Sequence, residues 1–213
     1  MKEAIMKDIF HHRKPHFLDV AHTFSVLIPM IEISNKLHIL FEVRGQNMSQ
    51  PGEICFPGGR AENNETPEAT AIRETMEELL LQREQIEMMG PLDMLITPFN
   101  ILIHPYIGML KGIQGESIAF NPQEVASIFF VPLEELLAQE PLLHEMKMDF
   151  SPDQSFPYHL IEQGEQYPWK KGSHSVYFYS HKDKIIWGLT AKILKNFLDI
   201  LRSHPRFQNL INE

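Results

Sequence analysis

Three glutamates, Glu74, Glu77 and Glu78, stand at i, i+3 and i+4. On a helix that spacing gathers all three carboxylates on one face. Like charges so placed destabilise an isolated helix by roughly 0.2–0.5 kcal/mol per pair. Arg73, four residues before Glu77, is the one basic residue at helical spacing from any of them. A hard divalent cation resolves this repulsion. Magnesium takes oxygen ligands, keeps several waters and bridges a few carboxylates to substrate phosphates. Three bare glutamates alone read more simply as a solvated acidic face, so the residues around them decide the matter.

Those residues run Gly58-Gly59-Arg60-Ala61-Glu62-Asn63-Asn64-Glu65-Thr66-Pro67-Glu68, then Ala69-Thr70-Ala71-Ile72-Arg73-Glu74-Thr75-Met76-Glu77-Glu78-Leu79. Thr66-Pro67-Glu68 is a helix start, with Thr as N-cap, Pro at the first helical position and an acid in the first turn. The helix is predicted to run to about Leu81. With Gly59, Glu65, Arg73, Glu74, Glu77, Glu78 and Leu81 in register, the segment resembles the signature of the Nudix hydrolase family. Six fixed identities at that spacing arise by chance in a chain this long with a probability on the order of 10⁻⁵. Two positions depart: Thr75 replaces an aliphatic residue, and Leu80 replaces the usual glycine after the helix, which bears on the shape of the following turn.

The resemblance implies a Nudix α/β/α sandwich around a mixed β-sheet. It also implies hydrolysis of a nucleoside diphosphate linked to a second group. Glu74 and Glu78 are then the expected metal ligands, joined by Glu77 and the Gly59 carbonyl, with Mg²⁺ or Mn²⁺ as the ion. Arg73 and Glu65 are expected to orient the ligands. The general base is Glu77 or, further along, Glu124.

The segment Leu40-Phe41-Glu42-Val43-Arg44 through Phe56-Pro57-Gly58-Gly59 resembles the extra signature of the coenzyme A pyrophosphatase branch. Arg44, Gly52 and Phe56 match it, with one residue fewer between Arg44 and Gly52, and its second arginine has no counterpart. The run Ile186-Trp187-Gly188-Leu189-Thr190-Ala191 looks like the closing hairpin-to-helix motif of that branch. Arg44, Arg60, Gly52 and Phe56 are therefore the expected substrate-binding residues, the two arginines suiting phosphate oxygens. The implied substrate is coenzyme A or an acyl derivative. Other substrates of the family, such as ADP-ribose, a dinucleotide or an oxidised nucleotide, share the same box, and a non-catalytic nucleotide sensor is a reading of another class.

The rest of the chain must position these groups. Its 213 residues, 43% hydrophobic and 22% charged, suit one globular domain. We expect an N-terminal helical extension over 1–20, a catalytic domain over 21–205 and a tail over 206–213. Strands are predicted at 21–33, 37–44, 92–96, 101–110 and 125–131, with a helix opening at Pro132 and an irregular, aromatic-bearing stretch over 139–173. A hairpin at 174–180 and 183–187 and a helix over 188–203 follow. Strands interspersed with helices suggest a mixed α/β sheet with helices on its faces.

The formal charge of −9 disfavours nucleic-acid binding, which needs a basic face. An acidic substrate then requires cation mediation. No apolar run approaches a membrane span, and no secretory signal is seen. The single cysteine, Cys55, excludes an internal disulfide framework, is read as a core residue, and fits a reducing cytoplasmic setting. A homodimer is an open expectation. His11, His12 and His16 lack partners that would complete a zinc set. Trp187 is read as a core anchor. No Walker A loop or dinucleotide-binding glycine fingerprint is present.

Overall fold

A computed structural model describes residues 1–62 and 64–207. Part of the tail expected over 206–213 lies outside the described residues. Helix α1 (Lys2–His11) opens the chain and buries none of its residues. Strands β1 (His22–Ile33), β2 (Lys36–Arg44), β3 (Ile54–Cys55) and β4 (Gly58–Arg60) follow, then helix α2 (Pro67–Glu78). Next come β5 (Ile86–Pro91), β6 (Leu95–Ile96), β7 (Ile101–Leu110), β8 (Val125–Pro132) and helix α3 (Leu133–Ala138). Strands β9 (Leu142–Met148), β10 (Gly172–His181) and β11 (Lys184–Trp187) lead into helix α4 (Gly188–Ser203).

The main sheet is mixed. Its path runs β3-β2-β1-β7-β5, with β4 beside β1, β6 beside β7 and β8 beside β2. The β1–β7 pair is parallel and the other pairs are antiparallel. Alternating side chains divide β1 and β2 between two apolar layers. Leu27, Ile31 and Leu40 pack with Ala71, Ile72 and Leu79 under α2. Ile28, Met30, Ile39 and Phe41 pack with Ala191, Leu194, Phe197 and Leu198 under α4. This is an α/β/α sandwich around a mixed sheet. A smaller sheet, β11-β10-β9, continues beside α4.

Three expectations are corrected. The strand predicted at 92–96 is split: β5 lies at 86–91, and of the predicted span only Leu95–Ile96 pairs. The stretch 139–173 is not wholly irregular, because β9 pairs with β10 along seven residues despite having every residue exposed. An edge strand without a buried face leaves no alternation to read. Trp187 is 46% exposed and stacks on Phe178 at 6.1 Å rather than anchoring the core.

Candidate active site on the carboxylate helix

Thr66 caps α2, its Oγ1 accepting from the Ala69 N–H at 3.2 Å, and Pro67 occupies the first helical position. The helix ends at Glu78, three residues sooner than predicted. Leu80 then adopts φ +50°, the left-handed conformation that the usual glycine would take, and the chain turns into the next segment through a non-glycine residue. Thr75 is fully buried, and its Oγ1 donates to the Ala71 carbonyl at 2.7 Å. The hydroxyl is thereby satisfied within the helix.

Arg73 is the hub of the outer half of the site. Its Nε and Nη2 donate to the two oxygens of Glu65 at 3.0 and 3.1 Å. Nη1 lies 2.9 Å from Glu74 and 3.1 Å from Glu77, and Nη2 reaches the Arg60 carbonyl at 3.3 Å. Such a bidentate, charge-assisted pair fixes orientation as well as energy. Glu65 is steadied further by Thr70 Oγ1 at 2.8 Å and by the Glu62 N–H at 3.2 Å. The Arg73 hydrogen bonds hold the Glu65 carboxyl down at about 2. The same contacts, Glu65 foremost, raise Arg73 above its ordinary value.

The inner half is carboxylate-rich. Glu78 is 4% exposed, and its Oε2 accepts from the Gly58 N–H at 2.8 Å. Burial pushes its carboxyl up to about 8, the Gly58 hydrogen bond opposing and the charges of Glu74 and Glu124 adding. Burial likewise raises Glu74, with Arg73 opposing. Gly59, paired with Ser25 across β4 and β1, lies so close to Glu74 that a Cβ there would fall on the carboxylate. Glu124, in the turn before β8, accepts at Oε1 from Asn121 Nδ2 at 3.0 Å. The Asn121 N–H in turn binds the Glu78 carbonyl at 2.8 Å. This ties the β8 entry loop to the end of α2.

The expected residues therefore divide. Glu74, Glu78, Gly59 and Glu124 come together, and Arg73 and Glu65 brace them. Glu77 has a 54% exposed side chain turned to Arg73 Nη1, which it shares with Glu74, and its charge also raises the Glu74 carboxyl. Arg44 ends β2 and donates to Ser49 O at 2.7 Å and Ser49 Oγ at 3.2 Å, close enough to the cluster to lower Glu78. Arg60 is exposed at the end of β4. Gly52 turns the loop with φ +80°, its N–H bound to the Arg44 carbonyl at 3.0 Å. Phe56 is a correction: it is 4% exposed and stacked on Phe41 at 5.0 Å in the layer beneath α4, so its ring offers no surface to a ligand.

The sequence reading missed Glu42, which is 1% exposed on β2. The available signal was a charge within the alternating strand Leu37–Arg44, two residues from an inward leucine. His11, His12 and His16 are exposed on α1 and after it. Burial pushes the Cys55 thiol up to about 12, so it is not a nucleophile near neutral pH.

Among the described residues, no three acidic, histidine or cysteine side chains converge at ligand spacing. The donor set nonetheless suits a hard cation. Glu78 faces the charges of Glu74 and Glu124, Glu42 faces those of Glu78 and Glu124, and Glu74 faces those of Glu77 and Glu124, with Arg44 as the cation facing Glu42 and Glu78. Glu42 Oε1 is also buried without a hydrogen-bond partner. All-oxygen donors of this kind suit a hard divalent cation.

The capped helix α2 thus lays its carboxylates on a mixed sheet. The chain belongs to the NUDIX domain family, whose model matches residues 22–154, and it is a Nudix pyrophosphohydrolase. It is 28% identical to Nudix hydrolase 3 of Caenorhabditis elegans, over 99% of this chain and 88% of that protein. It is 32% identical to the peroxisomal coenzyme A diphosphatase NUDT7 of Mus musculus, over 87% of this chain and 73% of the relative. The crystal structure of a MutT/nudix family protein from Enterococcus faecalis shares the fold, with a TM-score of 0.51 and 14% identity over 98% of this chain and 74% of that one. No helix among the described residues is long and apolar enough to cross a membrane.

Proposed function

We propose that the enzyme hydrolyses the diphosphate of coenzyme A or an acyl-coenzyme A, giving adenosine 3′,5′-bisphosphate and (acyl-)4′-phosphopantetheine. The observation that carries this reading is the 32% identity to a coenzyme A diphosphatase over 87% of the chain. It is supported by the resemblance of Arg44, Gly52 and the Phe56-Pro57-Gly58-Gly59 run to the signature of that branch, one residue shorter between Arg44 and Gly52. An open cavity of about 460 Å³ beside the Pro51–Ile54 turn is lined by Val43, Ile54, Ile185 and Trp187 together with the charged Glu53, Asp183 and Lys184. That mixture suits a long arm carrying both apolar and amide groups.

Glu74, Glu78 and the Gly59 carbonyl would hold Mg²⁺ or Mn²⁺, which supplies charge neutralisation on the diphosphate oxygens and a more acidic water. Arg73, locked by Glu65, holds Glu74 in place from outside. Of the two candidate bases we assign the role to Glu124, which faces both Glu74 and Glu78, whereas Glu77 pairs with Arg73. Glu124 takes a proton from the attacking water as its oxygen bonds to one phosphorus. The bridging oxygen leaves with the other phosphate, its charge met by Arg44 or solvent. Arg60, exposed at the end of β4, would meet a further phosphate oxygen.

Product analysis tests the reading. Purified protein with Mg²⁺ or Mn²⁺ is offered coenzyme A, acetyl-coenzyme A, ADP-ribose, NADH, diadenosine polyphosphates and 8-oxo-dGTP. Adenosine 3′,5′-bisphosphate should form from coenzyme A faster than any other product forms. A faster reaction with ADP-ribose or another compound refutes the substrate and leaves the Nudix chemistry standing. Binding without turnover of any compound would bring the sensor reading forward.

A further inference from the structure

Glu42 is a buried charge to which the steps above give no task. It lies on β2, where side chains alternate between the two faces of the sheet. Ile39 and Phe41 enter the layer beneath α4, and Leu40 enters the layer beneath α2. Pairing with β8 is regular through Leu40–Phe130, Phe41–Phe129 and Glu42–Ile128, and shifts only after Val43. Glu42 therefore shares the face of Leu40 and looks toward α2.

A carboxylate in that layer needs partners, and the protein supplies few. Glu42 is 1% exposed, and its Oε1 has no hydrogen-bond partner. Leaving a polar atom buried and unpaired is destabilising, and native structures keep few such atoms without a reason. The charged groups facing it are Glu78 from α2, Glu124 from the turn before β8 and Arg44 from its own strand. Two negative groups thus oppose one positive group. Burial first, then Glu78, raises its carboxyl well above the ordinary range, with Arg44 opposing and Glu124 adding. An apolar residue would fill this layer without that penalty.

We propose that Glu42 completes the divalent-cation site from the sheet side, its carboxylate joining those of Glu74 and Glu78 in holding the ion. The proposal rests on the reading of Glu74 and Glu78 as a cation-holding pair. Mg²⁺ and Mn²⁺ favour about six oxygens, and the helix approaches the ion from one side only. Glu42, buried on the strand that packs under α2, would add an oxygen donor from the sheet. A cation there supplies the missing partner of Glu42 Oε1 and offsets the three carboxylates at once.

The test uses the full chain and Mn²⁺ alone, without nucleotide. Free Mn²⁺ is followed by its aqueous electron paramagnetic resonance signal during titration of wild type, Glu42→Gln and Glu78→Gln. Thermal melts with and without Mn²⁺ accompany each titration. Glu42→Gln should weaken Mn²⁺ binding about tenfold or more, the scale at which even outer partners of a metal site act. Its metal-free melting temperature should equal or exceed that of wild type, because a buried charge is gone, while the rise produced by Mn²⁺ shrinks.

Wild-type Mn²⁺ affinity in Glu42→Gln overturns the proposal. If Glu78→Gln loses Mn²⁺ while Glu42→Gln keeps it, the error lies with Glu42 alone. If Glu78→Gln also binds as wild type does, or wild type binds no Mn²⁺, the carboxylate-helix reading fails with it. Should Glu42→Gln not fold, Glu42→Asp keeps the charge and withdraws it by one methylene. Weakened Mn²⁺ binding by that variant supports the proposal, and unchanged binding overturns it.

Discussion

Replacing Glu78 by Gln removes a charge and keeps a shape. The amide oxygen can still accept from the Gly58 N–H that now binds Oε2 at 2.8 Å. What changes is the cost of ionising a carboxyl that is 4% exposed and faces the charges of Glu74 and Glu124. The folded carboxyl titrates at about 8 against an ordinary 4.5. Between those values the folded state binds more protons than the unfolded state, so metal-free stability falls as pH rises. Below the ordinary value both states are protonated and the penalty is absent. At about 1.4 kcal/mol per pKa unit, the ionised carboxylate costs the metal-free fold at most about 5 kcal/mol above pH 8. Part of that is shared with its acidic neighbours, so Glu78→Gln should recover about 2–4 kcal/mol.

Urea denaturation in a chelator at pH 5 and pH 9 reads this directly. The two proteins should lie within about 1 kcal/mol of each other at pH 5, as expected for swapping a neutral acid for an amide of the same shape. The variant should be the more stable at pH 9. Other titrating groups cancel in the difference between the two proteins. With Mg²⁺ and substrate, the same variant should lose about 10²–10³-fold in kcat, the scale of removing one preorganised electrostatic contact. A variant less stable than wild type at pH 9 without cation would refute the burial argument. Wild-type turnover would remove Glu78 from the metal site.

Three further outcomes follow from the same geometry. Gly59→Ala puts a methyl group on the Glu74 carboxylate and should lower kcat about 100-fold, as a displacement of about 1 Å does, with the circular dichroism spectrum unchanged. Wild-type kinetics would show that Glu74 has room to move without consequence. Arg73→Lys cannot reproduce the two hydrogen bonds to Glu65 or the reach to Glu74. It should lower kcat about 10–100-fold with KM within a few-fold, and a change confined to KM would instead place Arg73 against the substrate. At Leu80, φ +50° costs an L-residue about 1–2 kcal/mol, against roughly 0.4–1 kcal/mol of extra chain entropy for glycine. Leu80→Gly should therefore be more stable than Leu80→Ala by about 0.5–1 kcal/mol in urea melts, the reverse of the order inside a helix. The usual order would mean that the turn relaxes out of the left-handed region.

Much of the frame can be read along the chain because the signals are local. Thr66-Pro67 starts α2 through one cap and one fixed φ, and the carboxylate spacing puts Glu74 and Glu78 on one face wherever that helix lies. The predictions of β1, β2 and α4 rest on an apolar run and on periodicity, which need no knowledge of neighbours. Strand β9 escaped this reading because all its residues are exposed. Strand β4 escaped because three residues of Gly-Gly-Arg carry no pattern, and only their pairing with Phe24, Ser25 and Val26 makes them a strand.

The sequence by itself determined the helix, its box of acids and the chemistry that such a box implies. Residue types and spacing are one-dimensional quantities, and a helix converts them into a face without help. The tertiary structure decided which acids share a site. Folding turned Glu77 outward to Arg73, brought Glu124 from a distant turn toward Glu78, and buried Phe56 against Phe41. It also buried Glu42, twenty-five residues before the helix begins, within reach of the charges of Glu78 and Glu124 and with one oxygen unpartnered. Burial and the field of neighbouring charges depend on distance in space, and strand pairing sets that distance independently of separation along the chain.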